Sequence, residues 1–341
     1  MAGANDAQMA TAVSQAGGLG SLPCAMLSTD AMRTQIGIIR QQTDKPINLN
    51  FFCHTPAADD PAAQQRWRTT LQPHYQALGL DPDMQAPAAN RAPFDSAMCE
   101  VVEEFKPHVV SFHFGLPAPD LLQRVKRAGC LVISSATTTA EAIWLEQHGC
   151  DAVIAQGAEA GGHRGIFLTD NVNQDIANQP GTFALVPQVV DAVSIPVIAA
   201  GGISDARGIV AAFVLGASAV QIGTAYLSTP EATISDLHRQ ALASAQDDST
   251  TLTNLFSGRP ARGIINKVMR ELGPISQDTP PFPTAGGALA PLKSAAEANQ
   301  RADYSSLWAG QAASLSQTTD ASTLTQQLNT TALALLQQLS T

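Results

Sequence analysis

Along the chain the apolar residues repeat one grammar. A short run rich in β-branched residues is followed by Gly or a small polar residue, and then by a stretch with helical spacing. This pattern predicts strands at Gly18–Leu22, Pro46–Phe52, His108–Phe114, Leu131–Ser135, Ala152–Gln156, Ile195–Ala200 and Ala219–Ile222. Helices are predicted between them. Asp6–Ala16 ends at Gly17-Gly18, and Thr29–Gln42 carries Met32, Ile36 and Ile39 on one side. Glu141–Gln147 follows the cap candidates Thr137-Thr138-Thr139 and stops before Gly149; Phe183–Val193 and Asp205–Leu215 obey the same rule. Near-continuous apolar strands alternating with helices imply a parallel sheet covered on its outer face.

An open doubly wound sheet would carry G-x-G-x-x-G after an early strand, and Gly17-Gly18-Leu19-Gly20 has a different spacing. The expected fold is therefore α/β, a (β/α)8 TIM barrel, with the first barrel strand absent or upstream of Met1. After Pro230 the texture changes. Glu231–Gln246 and Ser257–Leu272 read as helices, Pro274–Pro291 as a Pro/Gly-rich connection, and the Ser/Thr/Gln-rich tail from Ala312 as weakly anchored. The expected division is a barrel over residues 1–230 and a helical extension over 231–341 that packs across the barrel mouth.

Composition removes several classes of function. With 341 residues, 45% of them hydrophobic, the chain can bury a large core, and no apolar run reaches the roughly 18 residues of a membrane span. The opening Met1-Ala2-Gly3-Ala4-Asn5-Asp6 lacks a secretory pattern, so a cytoplasmic location is expected. A net charge of −10 gives nucleic-acid binding no electrostatic support. Five cysteines without a C-x-x-C pair read as small buried thiols, and no metal centre is expected. The oligomeric state is left open, a homo-oligomer being allowed.

In a barrel, alternate strand residues face the lumen and function collects at the C-terminal strand ends. In Pro46–Phe52, Asn48, Asn50 and Phe52 share one face, and buried amides need partners, so Asn50 is expected to face a ligand. Gln156 ends its strand in phase with Ala152 and Ile154, and its amide both donates and accepts, which suits a heterocyclic edge. His113 shares a face with Ser111 at a strand exit and fits either backbone satisfaction or an active-site role. The ten residues from Gln156 to Gly165 include four glycines with His163 among them, and a pKa of about 6.5 suits proton transfer. Arg164 either holds this loop or meets an anion. Ala199–Asp205 and Ala219–Thr224 place Gly201, Gly202, Gly223 and Thr224 between consecutive strands and helix starts, a backbone site for phosphate.

These segments carry a resemblance. Gln156–Gly165, Pro196–Asp205 and Val220–Thr224 resemble the signature segments of the nitronate monooxygenases, once called 2-nitropropane dioxygenases. The likeness continues through Ala16–Gly20, Asn48–His54, Ser111–Gly115, Phe256–Gly263 and Leu307–Gln311. The Asn50–His54 and Gly161–Gly165 segments are similar to the class that oxidises propionate 3-nitronate. The resemblance implies a TIM barrel holding FMN, with no metal, that uses O2 to convert a nitronate to a carbonyl compound and nitrite. It implies that Asn50 and Gln156 contact the isoalloxazine, that Gly161 borders it, and that Met1-Ala2-Gly3 lies against the flavin. Gly201, Gly202, Gln221, Gly223 and Thr224 would hold the phosphate. His163 would be the catalytic base and His113 a second active-site histidine, with Arg164 and Phe282 lining the substrate pocket. Two other readings suit the same loops: an FMN-dependent NAD(P)H reductase of quinones or enoyl thioesters, and a non-enzymatic flavin- or phosphometabolite-binding protein.

Overall fold

Seven parallel strands pair in chain order in the computed structural model, which describes residues 1–58, 60–84 and 91–339. They are β1 (Gly20–Pro23), β2 (Ile47–Phe52), β3 (Val109–His113), β4 (Leu131–Ala136) and β5 (Ala152–Gln156). A two-residue strand β6 (Gly162–His163) leaves the sheet, which resumes with β7 (Val197–Ala200) and β8 (Ala219–Gln221). Helices alternate with the strands, and the sheet curls into a TIM-type barrel followed by a C-terminal helical extension. Among the described residues β1 and β8 pair only on one side each, and β8 is the least buried strand, with Gln221 exposed.

The period-two pattern sorts the side chains as the sequence implies. Ile47, Leu49 and Phe51 of β2, Val110 and Phe112 of β3, and Val153 and Ala155 of β5 face outward. They join Met32, Ile36 and Ile39 of helix Thr29–Gln42 in the main core. The inner face carries a separate apolar cluster of Val109, Ile133, Ile154 and Ala200. The observed strand limits fall within about two residues of those predicted, as expected where helix and strand ends fray.

The extension differs from its prediction in four places. Ser257–Leu272 is not one helix: β10 (Ala261–Ile264) pairs antiparallel with β9 (Thr250–Thr253) and with β6, and only Lys267–Leu272 is helical. Pro260 favours extended backbone at Arg259, and Gly263 lies so close to Leu307 that a Cβ would sit 2.8 Å from its carbonyl oxygen. The helix expected at Glu231–Gln246 is confined to Asp236–Ala243, with Ser235 as its cap. The Pro274–Pro291 connection ends early, because Ala285–Ala298 is helical and carries Pro291 inside it. That helix buries Leu289 and Leu292 with Trp67, Leu71 and Tyr75 of helix Pro61–Ala77, an element absent from the predicted set.

The fourth difference is the tail. Ala321–Leu339 is a helix whose Ala321, Leu324, Leu328 and Ala332 join the main core, and Thr325 shares a 2.8 Å hydrogen bond with Tyr226. Its polar composition hid an apolar stripe at helical spacing, which packs on helices Ala206–Val214 and Ala7–Gln15. Among the described residues no helix is long and apolar enough to cross a membrane. Leu324→Ala is expected to cost about 2–4 kcal/mol in urea unfolding, whereas Leu333→Ala, at a site 53% exposed, should change it by less than about 0.5 kcal/mol.

Candidate active site

The floor of the site is a chain of lumen-facing polar groups on the first three strands. The Asn48 amide donates to Ser21 Oγ and to Ser111 Oγ, each at 2.8 Å, and the Asn50 amide donates to Ser111 Oγ at 2.8 Å. The two amides thus find their partners on neighbouring strands. Asn48 Oδ1 alone stays buried without a hydrogen bond. Asn50, one step nearer the mouth, is half-buried.

Above this floor the glycine-rich loop after β5 is held at several points. Arg164 is fully buried, and its guanidinium donates to the carbonyls of Gln156 and Gly157 and to Gln179 Oε1. Its place is in the loop's foundation rather than facing His163. Burial lowers its pKa to about 10, so it stays charged at neutral pH. Arg262 of β10 donates to the Ala158 carbonyl at 2.8 Å, and Glu159 accepts from the backbone and hydroxyl of Thr182, capping helix Thr182–Ala192. The Gln156 amide donates to the His163 carbonyl at 3.0 Å and accepts from the Gly165 N–H at 2.8 Å, closing the loop on itself. The small β6–β10–β9 sheet then sets His163 opposite Ala261.

His163 Nε2 lies 2.8 Å from Ser257 Oγ, and that hydroxyl also reaches the Arg259 carbonyl at 3.3 Å. Keeping both contacts requires the hydroxyl to donate to the carbonyl and Nε2 to donate to the hydroxyl. Nδ1 is then the unprotonated nitrogen. His113 is a neutral N–H donor through Nε2 to the His163 carbonyl at 3.1 Å, and Ser135 Oγ lies 3.1 Å from its Nδ1. Gly165 makes room for that ring, since a Cβ there would stand 3.0 Å from His113 Cε1.

Aromatic rings enclose the pair. The Phe282 centroid is 5.4 Å from that of His163, Phe114 is 6.0 Å away, Phe52 6.3 Å and Trp308 5.5 Å. His54 stands edge-on to Phe282 at 4.8 Å. Burial pushes His163 well below the ordinary histidine value, helped by the nearby Arg91, His113 and Arg259. Burial also brings His113 down to about 3 and His54 to about 4. All three imidazoles are therefore neutral at pH 7.

The two glycine turns beyond β7 and β8 lie at successive strand ends. Gly201 and Gly202 have φ values of +112° and +70°, and a Cβ on Gly201 would stand 2.8 Å from Thr182 Oγ1. The amides of Gly201, Gly202, Gly223 and Thr224 donate to no described residue, which leaves them free for an anion. Thr224 Oγ1 accepts from the Gly310 N–H at 2.9 Å. Gly161 presses against Ala309 and Gly310 on the side where a Cβ would project. Met1 Sδ approaches Gly223, while Ala2 packs on the Ala25, Phe52, Phe114 and Phe282 cluster.

The model of the nitronate monooxygenase family matches residues 1–330. The chain belongs to this family. It is 42% identical over 331 residues to a nitronate monooxygenase of Paraburkholderia phytofirmans, covering 96% of this chain and 89% of that one. A Pseudomonas aeruginosa nitronate monooxygenase is 40% identical over 317 residues, covering 92% and 89%. A solved structure of nitroalkane oxidase from Streptomyces ansochromogenes superposes with a TM-score of 0.90 at 35% identity, covering 99% of this chain and 95% of the other. The chain is thus an oxidoreductase of the nitronate monooxygenase family.

Several residues at the mouth escaped the sequence reading: His54, Phe114, Ser257, Arg259 and Trp308, all within segments that carry the family likeness, and Arg91. His54 and Ser257 are ordinary polar residues in sequence, and only burial beside His163 or Phe282 marks them out. For Arg164→Leu, each carbonyl left without a donor should cost about 1–3 kcal/mol. Denaturant unfolding would measure this, and a fully stable variant would refute the loop-holding role.

Proposed function

We propose that the protein oxidises alkyl nitronates, of the propionate 3-nitronate type, with FMN and O2, giving a carbonyl compound and nitrite. The observation that carries this reading is the His163 imidazole, neutral, with Nδ1 free, among aromatic rings above the strand ends. The fit to FMN rests on the four unused amides of Gly201, Gly202, Gly223 and Thr224, which suit its phosphate. Gln221 and Met1-Ala2-Gly3 would flank the cofactor, with Gly161. Asn50 and Gln156 would meet the isoalloxazine, and each amide has capacity for a further hydrogen bond beyond those it makes. FMN, when bound, supplies the one-electron acceptor and the chemistry that engages O2.

The chain's own residues prepare the substrate. The rings of Phe52, Phe114, Phe282 and Trp308 exclude water from around His163 and raise the worth of each charge there. A nitro group acidifies the adjacent carbon, and His163 Nδ1 is the base that takes that proton from a nitroalkane. An anionic nitronate arrives without that proton, and its charge offsets the repulsion that Arg91 and Arg259 impose on the imidazole. His163 then gains basicity as the anion binds and takes up a proton from solvent at Nδ1, and the imidazolium, like the one formed by taking the proton of a nitroalkane, holds the nitronate oxygens. Ser257 fixes the tautomer, while His113 fixes the loop through the His163 carbonyl.

His163→Asn is expected to retain FMN but to lose about 10²–10⁴-fold in turnover of neutral nitroethane. Oxygen uptake at the parent rate would defeat the base assignment. The lowered pKa carries a second expectation. His163 in the free enzyme is already deprotonated above its ordinary value, so kcat/KM for neutral nitroalkanes should be flat from about pH 6.5 to 8.5. Activity should decline only on the acid side, as the imidazole takes a proton. An inflection near or above pH ~6.5 in that profile would contradict the buried, neutral histidine.

A further inference from the structure

Two guanidinium groups stand at the aromatic mouth of a chain whose net charge is −10. Arg259 is fixed: its Cζ lies 4.3 Å over the Phe114 centroid and Nη2 donates to the Ile166 carbonyl at 2.6 Å. The carboxylate that partly compensates it, Glu141, is already taken up by Thr137 and the N–H groups of Phe167 and Leu168. Arg91 is different. Its Cζ sits 5.9 Å from the Phe282 centroid, and among the described residues its guanidinium has neither an ion-pair nor a hydrogen-bond partner. Half-buried, it has lost part of its water without gaining a partner.

A buried imidazole adjoins it: His54 is 4% exposed, neutral, hydrogen-bonded to the Arg91 backbone, and its ring meets the Phe282 ring that Arg91 approaches. One nitronate charge answers one of the two guanidinium groups. The other calls for a second anion on the same ligand, and a planar carboxylate matches the guanidinium fork.

We infer that Arg91 is a specificity-determining residue that binds a carboxylate borne by the substrate away from its reacting carbon. This rests on the proposed reaction for the reacting end of the substrate only. Within the propionate 3-nitronate reading, Arg91 is then the residue that separates nitronates of short nitro-acids from those of nitroalkanes of equal length.

Calorimetric titration of the purified, FMN-containing protein with 3-nitropropionate and with 1-nitropropane tests the assignment without turnover. The parent should bind the acid about 10-fold or more tightly than the nitroalkane, Arg91→Gln should erase that preference, and Arg91→Lys should restore part of it. In oxygen uptake, Arg91→Gln should raise KM for the nitronate of 3-nitropropionate by about 10-fold or more. Its KM for propyl-1-nitronate should rise by less, so that the selectivity between the two nitronates falls. A parent with no preference for the acid would overturn the inference, as would an Arg91→Gln variant that weakens both ligands alike or neither. A parent that binds the acid selectively through Arg91 yet oxidises no nitronate would uphold Arg91 and overturn the proposed reaction instead.

Discussion

The site depends on how the loop after β5 is tied down. This loop is rich in glycine and therefore expensive to order, yet it must hold one imidazole in place above the barrel. Its carbonyls are gathered by the Arg164 guanidinium below and the Arg262 guanidinium from the extension, and its last residues are zipped onto β10. Each tie is a charge-assisted or ladder hydrogen bond in a buried setting, where a broken bond costs more than a surface one. The barrel alone would leave His163 on a flexible turn. The extension makes it part of a sheet.

The electrostatics follow from the same arrangement. The arginines that hold the loop, together with Arg91 and Arg259 at the rim, surround three imidazoles that burial keeps neutral. The protein as a whole is acidic, but its mouth is positive and walled by aromatic rings. Such a combination suits a small anion that must be stripped of water before it reacts, and it disfavours one that must stay hydrated. The buried histidines divide their labour through hydrogen bonding: His113 donates to a backbone carbonyl and is spent, whereas His163 retains a free nitrogen.

The strand–helix alternation and the inward phase of Asn48, Asn50, Gln156 and His113 were legible because period-two and period-3.6 patterns are local. So were the glycine turns, because left-handed backbone is a property of single residues such as Gly201 and Gly202. Beyond residue 230 the reading failed for one reason. Ala261–Ile264 is a strand only because β6 and β9 offer it ladder partners, and Ala321–Leu339 is firmly anchored only because barrel helices receive its sparse apolar stripe. Both depend on surfaces made by chain far away, and no local window contains them.

Arg164 shows the same division within the site. Its position beside His163 in sequence left two roles open, holding the loop or meeting an anion, and its side chain turns under the loop to the carbonyls of Gln156 and Gly157. Arg91 lies far from every motif and arrives at the mouth beside Phe282. By itself the sequence determined the barrel class, the lumen-facing residues and the two anion-ready turns, since these follow from short-range periodicity and backbone freedom. Only the tertiary structure decided which cation supports and which faces the mouth, and which histidine keeps a free nitrogen. Those outcomes turn on burial and on partners that long-range packing alone brings together.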